Sequence, residues 1–386
     1  AGNGDHQGSG RVGGDGVMAK IVYIADVCKE IFAGGDVPKS ALSYEKTAEY
    51  NVPIFSNGEK NCGLYGYTNN ARVKEPSITV SARGTIGYTA IRTEPFVPVV
   101  RLITLTPKSE VIDLDYLFYA TQNYKFEGSG TSIPQLTVPM LKKYKFQLPE
   151  MSRQKAIAVK FEKLDQLISL RKQQLAKLDE LVKARFVEMF GDPVRNEKGW
   201  NTYALAEMCD GIGDGLHGTP EYDENGEYPF INGNNLIDGV IQINASTKKV
   251  NKKTYEKHYI KISQNAILLS INGTLGKIAF YNGEQVMLGK SACYCNLKDE
   301  VNRIFVYKIM KTDAFAGYLE DNSTKSTIKN VGLKAIREYR LIAPLLSLQN
   351  QFAVFAEYVD QQKQTVQQSL EKLELMKKAL MQEYFG

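Results

Sequence analysis

Two long stretches of the chain place apolar residues at alternating steps of three and four positions. This spacing is typical of the seam of a coiled coil, because it keeps apolar side chains on one narrow face of a helix. Ser152 and Ser347 are the predicted N-caps of these helices, and Gly191 and Gly386 lie where the helices should end. The pattern therefore predicts two long helices.

The chain is a tandem duplication. Residues 149–191 and 344–386 align without a gap, and more than a third of the paired residues are identical. The segments before them correspond more weakly: residues 81–87 have the sequence Ser-Ala-Arg-Gly-Thr-Ile-Gly, and residues 270–276 have Ser-Ile-Asn-Gly-Thr-Leu-Gly. Strand-like runs and turn glycines recur in both segments. The fold class is therefore predicted to be α+β, with two mixed α/β domains in a pseudo-twofold tandem repeat.

The repeat divides the chain into five predicted segments. A glycine-rich start without apolar periodicity is predicted to be a disordered leader or an expression remnant. The segments are the leader at 1–17, a first domain at 18–149, a first helix at 150–192, a second domain at 193–344 and a second helix at 345–386.

The apolar seams of the two helices complement one another. Lys363 and Lys377 occupy positions where the first helix has apolar residues, and Arg171 and Arg185 occupy positions where the second helix has them. Because each seam is incomplete alone, we expect the helices to pair antiparallel; packing of each helix on its own domain is the alternative. The predicted helix-pairing residues are Phe161, Leu164, Ile168, Leu175, Leu178, Val182, Val359, Val366, Leu370, Leu373 and Leu380.

Composition favours a folded cytoplasmic protein. Hydrophobic residues make up 43% of the chain and charged residues 24%, values that are typical of globular domains. The sequence has no apolar run of the roughly 20 residues that cross a bilayer, and no secretory signal pattern. The five cysteines include no Cys-x-x-Cys pair, which argues against a disulfide framework and a four-cysteine zinc site.

The sequence lacks the motifs of an enzyme. Residues 283–291 resemble a phosphate-binding loop, but five residues separate its glycines where that loop needs four. His217 and His258 have no recognisable serine or cysteine nucleophile beside them. We therefore predict no catalytic, cofactor-binding or metal-ligating residue.

Basic residues concentrate in the second domain. Six lysines fall between residues 245 and 264 with Glu256 as the single acidic residue, a composition that suits contacts with phosphates; a solvated loop is the alternative. Asparagine and arginine side chains match the edges of adenine and guanine. The predicted DNA-binding residues are Lys39, Asn57, Lys60, Arg72, Lys74, Arg83, His217, Asn232, Asn234, Lys248, Lys249, Lys252, Lys253, Lys257 and Asn272.

Over residues 18–386 the chain resembles the specificity (S) subunits of type I restriction-modification systems. The resemblance is carried in both halves by the Ser-x-x-Gly-Thr-x-Gly segment, the stretches that end at Pro149 and Pro344, and the glutamine-containing helix starts. It implies two target recognition domains, separated by two long helices that form an antiparallel coiled coil.

The resemblance also implies a function. The chain would be a noncatalytic subunit that binds a bipartite, asymmetric site in double-stranded DNA, one half per domain. It would recruit two modification (methyltransferase) subunits through the helices and restriction (translocase/nuclease) subunits in the full complex. The partner methyltransferase would modify adenine at N6 with S-adenosylmethionine, and this chain would bind neither a cofactor nor a membrane.

Other functions stay open at this point. A coiled-coil scaffold without DNA affinity would need no basic loops. A specificity subunit of a methyltransferase-only or type II-like system would have the same sequence features. A fused nuclease or methyltransferase would need its own active site.

Overall fold

The computed structural model describes residues 20–124 and 135–386, so the predicted leader at 1–17 lies outside the described residues. The chain forms two compact units. Unit 1 comprises the described residues through Gln173 together with Gln367–Gly386, and unit 2 comprises Gln174–Val366.

The first half of the chain contributes strands to unit 1 and one helix to both units. Its strands are β1 (Lys20–Tyr23), β2 (Cys28–Ala33), β3 (Val52–Phe55), β4 (Leu64–Thr68), β5 (Ser77–Val80), β6 (Thr89–Arg92), β7 (Val97–Pro98), β8 (Ile103–Pro107) and β9 (Lys145–Leu148). Its α-helices are α1 (Ile24–Val27), α2 (Leu114–Asn123), α3 (Val138–Lys142) and α4 (Met151–Phe190).

The second half follows the same plan. Its strands are β10 (Thr202–Ala204), β11 (Cys209–Asp214), β12 (Tyr228–Ile231), β13 (Leu236–Ile237), β14 (Val240–Ile241), β15 (Lys249–Val250), β16 (Ala266–Ser270), β17 (Ile278–Phe280), β18 (Met287–Leu288), β19 (Ala292–Leu297) and β20 (Arg340–Ile342). Its α-helices are α5 (Lys252–Lys257), α6 (Arg303–Met310), α7 (Asp313–Asp321), α8 (Leu333–Glu338) and α9 (Leu346–Phe385).

The two units share one sheet topology. The main antiparallel sheet has the order β2-β8-β5-β6 in unit 1 and β11-β19-β16-β17 in unit 2. A smaller sheet has the order β4-β3-β7 in unit 1 and β15-β12-β18 in unit 2, and its last pair is parallel in both. Even the register shift of the first strand recurs, just after Cys28 and just after Cys209. The duplication therefore extends through the whole domain.

Central strands form where apolar runs can be covered on both faces. Every residue of β16 is buried: Ile267 and Leu269 join the core that packs against the long helices, and Leu268 joins a second cluster on the other face. A short continuous apolar run is the pattern of such a strand.

A buried glutamine attaches each long helix to its own domain. In unit 1, the side chain of Gln154 accepts a hydrogen bond from Asp113 N at 2.8 Å and donates to Pro149 O at 2.9 Å. In unit 2, Gln349 accepts from Asn302 N at 2.9 Å and donates to Pro344 O at 2.7 Å. Both glutamines belong to the aligned repeat, so the sequence identity at this position has a structural cause.

In unit 1, the start of α4 pairs with the end of α9. The ring of Phe161 lies 5.8 Å from that of Phe385, and Asp165 forms an ion pair with Lys377 at 2.5 Å. Further along, Arg171 Nε donates to Ser369 Oγ at 3.2 Å. The partner number falls as the α4 number rises, so the helices run antiparallel.

In unit 2, the end of α4 pairs with the start of α9. Asp179 forms an ion pair with Lys363 at 2.5 Å. The ring of Phe186 lies 5.4 Å from that of Phe352. Lys363, Lys377 and Arg171 thus meet polar partners on the opposite helix, whereas Arg185 pairs with Glu188 on its own helix.

The α+β tandem fold with two paired long helices is confirmed. Of the predicted helix-pairing residues, Phe161, Leu164, Val182, Val359, Val366 and Leu370 are buried, and Ile168, Leu175, Leu178, Leu373 and Leu380 are half-buried.

The predicted N-caps are wrong. The helices begin at Met151 and Leu346, so Ser152 and Ser347 lie inside the first turn. The chain already turns helical after the preceding proline segment, where Gln154 N donates to Glu150 O.

We expect Phe190→Ala to destabilise the chain by about 3–5 kcal/mol, since it empties a fully buried site in the core. The ring of Phe190 lies 4.9 Å from that of Phe305 and 5.0 Å from that of Phe186. Urea unfolding followed by circular dichroism measures the change. Val187→Ala is the control, because Val187 is 55% exposed on the same helix. Equal losses for both variants would contradict this core.

We expect one thiol of the native chain to react with a thiol reagent and all five to react after denaturation. Cys62 is exposed, whereas Cys28, Cys209, Cys293 and Cys295 are buried. Burial raises the pKa of Cys28 to about 12, so its reactive thiolate is scarce near neutral pH. Colorimetric thiol titration measures the number, and Cys62→Ser should abolish native labelling.

Candidate nucleic-acid interface

Three loops meet at one end of the main sheet of unit 1. They are residues 56–63 after β3, 81–83 after β5 and 99–102 before β8, and we call them loop cluster 1. Asn57 joins them: its Oδ1 accepts from Ala82 N at 2.7 Å, and its Nδ2 donates to Val100 O at 2.5 Å. Gly58 N adds a bond to Ser81 Oγ at 3.1 Å. The cluster is therefore held by hydrogen bonds between loops.

A buried arginine fixes the first of these loops. Arg92 is 7% exposed and stacks 3.6 Å from the ring centroid of Phe55. Its Nη2 donates to Cys62 O at 2.6 Å, and its Nε donates to Thr79 Oγ1 at 3.1 Å. Burial lowers the pKa of Arg92. Because guanidinium is always charged in proteins, this cation adds positive potential beneath the loop.

Loop cluster 1 brings together three of the predicted DNA-binding residues. Lys60 and Arg83 are exposed, and Arg83 Nη2 donates to Gln135 Oε1 at 2.8 Å. Asn57 is half-buried, and its amide already binds backbone groups of the other two loops. In this structure Asn57 therefore positions the cluster instead of presenting a free amide.

The other predicted residues of unit 1 lie outside the cluster. Arg72 is exposed and forms an ion pair with Glu30 at 3.7 Å. Lys39 and Lys74 are exposed and form no ion pair with another described residue.

Unit 2 builds the equivalent cluster with different bonds. Loop cluster 2 consists of residues 232–235 after β12, 270–272 at the end of β16 and 289–292 at the start of β19. Ser291 Oγ donates to Asn232 Oδ1 at 3.0 Å and accepts from Gly233 N at 2.9 Å, and Ser291 O accepts from Ile271 N at 3.1 Å. A serine here does the joining that Asn57 does in unit 1.

Four predicted residues of unit 2 belong to this region. Asn232 accepts the hydrogen bond from Ser291 Oγ, and Asn234 is exposed beside it. Asn272 is half-buried and donates to Asn330 Oδ1 at 3.2 Å. His217 is exposed and lies 2.8 Å from Asp214, next to Leu216, which bonds to the 289–292 turn.

The predicted lysines lie just before and on β15 and on α5, and β15 pairs with β12, the strand that leads into loop cluster 2. Lys248 O accepts from Phe230 N at 2.8 Å. Helix α5 follows, capped by Asn251, whose side chain accepts from Thr254 N at 2.9 Å. The exposed lysines of this segment are Lys248, Lys249, Lys252, Lys253 and Lys257.

Stacked tyrosines hold α5 against the sheet. The rings of Tyr228 and Tyr255 stack with centroids 4.0 Å apart, and Tyr259 lies 5.8 Å from Tyr255. Burial raises the pKa of Tyr255, and the neighbouring tyrosines add to this shift. The lysines of β15 and α5 are therefore exposed on ordered elements.

Sequence reasoning missed the residues that order both clusters. Arg92 is an isolated arginine in a strand, and Ser291 lay in the rejected phosphate-loop match. Val100 and Arg101 correspond to Lys290 and Ser291 in unit 2, and neither pair is identical. The backbone hydrogen bonds of the two turns show this correspondence, so a comparison of the sequences could not reveal it.

Among the described residues, there is neither a group of metal ligands nor a helix that could cross a membrane. Within residues 20–124 and 135–386, no three histidine, cysteine or acidic side chains are grouped as metal ligands. In the same ranges, no helix is both long and apolar enough to cross a bilayer.

Two copies of one α+β domain, each with a loop cluster at the same end of its sheet, define a tandem-domain protein with two equivalent surfaces. The profile described as the type I restriction modification DNA specificity domain matches twice, over residues 18–180 and 197–375. The chain belongs to this family.

Relatives that are named as type I specificity subunits support the membership. S.MpnORF507P of Mycoplasma pneumoniae, named as a type I specificity subunit, is 38% identical over 145 residues, which are 38% of this chain and 39% of that protein. The MjaIX type I restriction enzyme specificity subunit of Methanocaldococcus jannaschii is 26% identical over 281 residues, 64% of this chain and 62% of that protein. The match thus covers less than two thirds of either relative.

Solved structures share the fold. The type I restriction-modification S subunit of M. genitalium superposes with a TM-score of 0.61 at 17% identity, covering 96% of this chain and 97% of that one. A chain from a structure of type I R-M complex assembly superposes with a TM-score of 0.56 at 15% identity, covering 95% and 97%.

We expect Asn57→Ala to destabilise the chain by about 1–3 kcal/mol, since it leaves a backbone donor and a backbone acceptor without partners. Thermal unfolding measures the change. Lys60→Ala is the matched control in the same loop, because Lys60 is exposed and makes no hydrogen bond with other described residues. An unchanged melting temperature for Asn57→Ala would contradict the positioning role of this side chain.

Proposed function

We propose that this chain is the DNA-specificity subunit of a type I restriction-modification complex and catalyses no reaction itself. It binds a bipartite, asymmetric site in double-stranded DNA, with one half contacted by each recognition domain. Its helices recruit two methyltransferase subunits, and restriction subunits join in the full complex.

The observation that carries this proposal is the pair of equivalent loop clusters. Each cluster lies at the end of a sheet, and the two sheets have the same strand order. The domain can therefore present each cluster to a half-site in the same way. Their residues differ, since Arg83 and Lys60 lie in one cluster and Asn234 in the other. Two equivalent surfaces with different side chains are what an asymmetric bipartite sequence requires, because base edges are distinguished by their donor and acceptor patterns.

The lysine segment of unit 2 supports DNA over an uncharged partner. Lys248, Lys249, Lys252 and Lys253 are exposed on the segment that forms β15 and the start of α5, and Lys252 has a weak ion pair with Glu256 at 3.8 Å. Lysines that neutralise phosphates release counterions and give affinity that falls with salt. A scaffold without DNA affinity would gain nothing from this arrangement.

The outer faces of the helices support the recruitment of two protein partners. Val159 on α4 is 46% exposed, and Val354, its counterpart on α9, is 68% exposed. Leu181 and Met376 are a second such pair, 48% and 51% exposed. Equivalent residues on both helices suit two copies of one partner.

The chemistry then belongs to the partners. In this proposal the methyltransferase subunit binds S-adenosylmethionine and modifies adenine at N6, the specificity subunit binds no cofactor, and the complex acts in the cytoplasm. A methyltransferase-only or type II-like system would use the same chain without restriction subunits.

The direct test is the methylation pattern of the source genome with and without this gene. Single-molecule sequencing should show a two-part adenine-methylated motif with a fixed spacer, which disappears when the gene is deleted and returns on complementation. Persistence of every modified motif, with the partner methyltransferase expressed, would contradict the proposal.

A charge-reversal variant tests the lysine segment. We expect replacement of Lys248, Lys249, Lys252 and Lys253 by Glu to weaken binding to duplex DNA by about 100-fold near 0.1 M salt and to flatten its salt dependence, since phosphate contacts are lost. Fluorescence anisotropy with a labelled duplex measures both.

The matched control replaces four other exposed lysines by Glu. They lie outside both clusters and outside the lysine segment, and they are Lys20, Lys142, Lys143 and Lys334. Both variants change the net charge by the same amount. Equal losses of affinity would show that net charge, and not the lysine segment, determines binding.

A further inference from the structure

The turn at residues 99–102 in loop cluster 1 has an unusual backbone. Val100 has φ of 53° and Arg101 has φ of 65°. The left-handed region is a genuine outlier for a β-branched residue, and such conformations persist where the surrounding structure enforces them, often at functional sites. The side chain of Val100 is nevertheless 44% exposed, so packing of a buried valine does not explain the strain.

Hydrogen bonds on all sides fix this turn. Val100 N donates to Gly35 O at 2.8 Å, and Arg101 N donates to Gly34 O at 3.1 Å. Asn57 Nδ2 donates to Val100 O at 2.5 Å. Gly34 permits the close approach, since a Cβ there would lie 2.5 Å from the carbonyl carbon of Pro98. The valine side chain is therefore presented to solvent in a rigid, preorganised position.

Unit 2 makes the same turn without this strain. Gly289 N donates to Ile231 O at 2.8 Å, as Val99 N donates to Phe55 O in unit 1, and Lys290 N donates to Leu216 O at 3.0 Å. Lys290 is exposed at the position of Val100, and its φ is not positive. The turn can therefore form without a left-handed residue. The positive φ in unit 1 accompanies the particular position in which Val100 is held.

We propose that this turn carries a specificity-determining residue in each unit. Val100 contacts the 5-methyl group of a thymine, and Lys290 donates hydrogen bonds to the O6 and N7 atoms of a guanine. The inference rests on the proposed function, because it assigns bases to surfaces that we propose to bind DNA.

The chemistry of the major groove favours these assignments. The thymine methyl is the apolar group on the major-groove edges, and a rigid valine in the same loop cluster as two exposed cations, Arg83 and Arg101, can reach it while the cations contact phosphates. Lysine has donors only, and guanine presents two acceptors side by side. The two units would thus use one backbone position to read different bases.

The experiment begins with the full chain and a library of duplexes with randomised sequence. Repeated selection and sequencing give the bipartite consensus. Each thymine of that consensus is then replaced by uracil, which lacks the 5-methyl group, and each guanine by 7-deazaguanine, which lacks N7. Affinities are measured for the wild type, Val100→Gly and Lys290→Ala.

We expect one thymine whose replacement by uracil weakens wild-type binding about threefold or more, with no further loss in Val100→Gly, since a small apolar contact contributes an effect of this order. That thymine and the guanine whose 7-deaza analogue affects the wild type but not Lys290→Ala should lie in opposite halves of the consensus.

The outcomes separate the two levels of the proposal. A wild-type chain that enriches no sequence overturns the proposed function. A clear consensus in which no thymine responds to uracil, or in which Val100→Gly responds as the wild type does, overturns the assignment of Val100 and leaves the proposed function standing. Equal responses of Lys290→Ala and the wild type to every 7-deazaguanine overturn the assignment of Lys290.

Folding effects are controlled by the choice of residues. Glycine and asparagine both accept the left-handed region, so Val100→Gly and Val100→Asn should retain the melting temperature and should lose the uracil response alike. Ile21→Ala is the matched control, because Ile21 is an exposed aliphatic residue of unit 1 outside the cluster, at 65% exposure. It should keep the wild-type response.

Discussion

The apolar seam between α4 and α9 is the interaction on which the rest of the structure depends. Each seam is incomplete alone, because cations occupy positions that an isolated coiled coil would fill with apolar side chains. In unit 1 the end of α9 completes the core around Phe161, and in unit 2 the end of α4 completes the core around Phe352. Each unit therefore contains residues from both copies of the repeat, and neither copy supplies a complete core by itself.

Two ion pairs between α4 and α9 help to specify how the helices pair. Lys377 meets Asp165 in unit 1, and Lys363 meets Asp179 in unit 2. Partly exposed ion pairs contribute little free energy, but an unpaired cation within the seam would be costly. Their value is therefore specificity, since a shifted register would separate these opposite charges.

In each unit, structural features that both units share support loops whose hydrogen bonds differ between the units. The anchoring glutamines, the register shifts and the strand order recur in both units, whereas the bonds that hold the loops change from Asn57 in one unit to Ser291 in the other. This division lets the surface residues of a loop vary while its position is kept. The strained Val100 fits such a scheme, because surrounding hydrogen bonds impose its conformation.

The periodicity of the chain sufficed to predict the α+β tandem repeat, the two long helices and their antiparallel seam. These features follow from local spacing and from identical residues, and both are visible in one dimension. The first residue of each long helix could not be predicted from the spacing. The helices begin one residue before Ser152 and Ser347, and an N-cap depends on backbone angles that tertiary contacts set.

The arrangement of the candidate site was decided by tertiary structure. The sequence marked Lys60, Arg83 and the lysines near α5 as basic residues, but it could not show that Asn57 has its amide engaged or that Arg92 supports a loop from below. It gave no hint that Val100 and Lys290 are equivalent, since the aligned letters share nothing and only backbone hydrogen bonds relate them. Spacing along a chain determines which face a residue occupies, whereas contacts between loops far apart in sequence determine which side chains are free to bind.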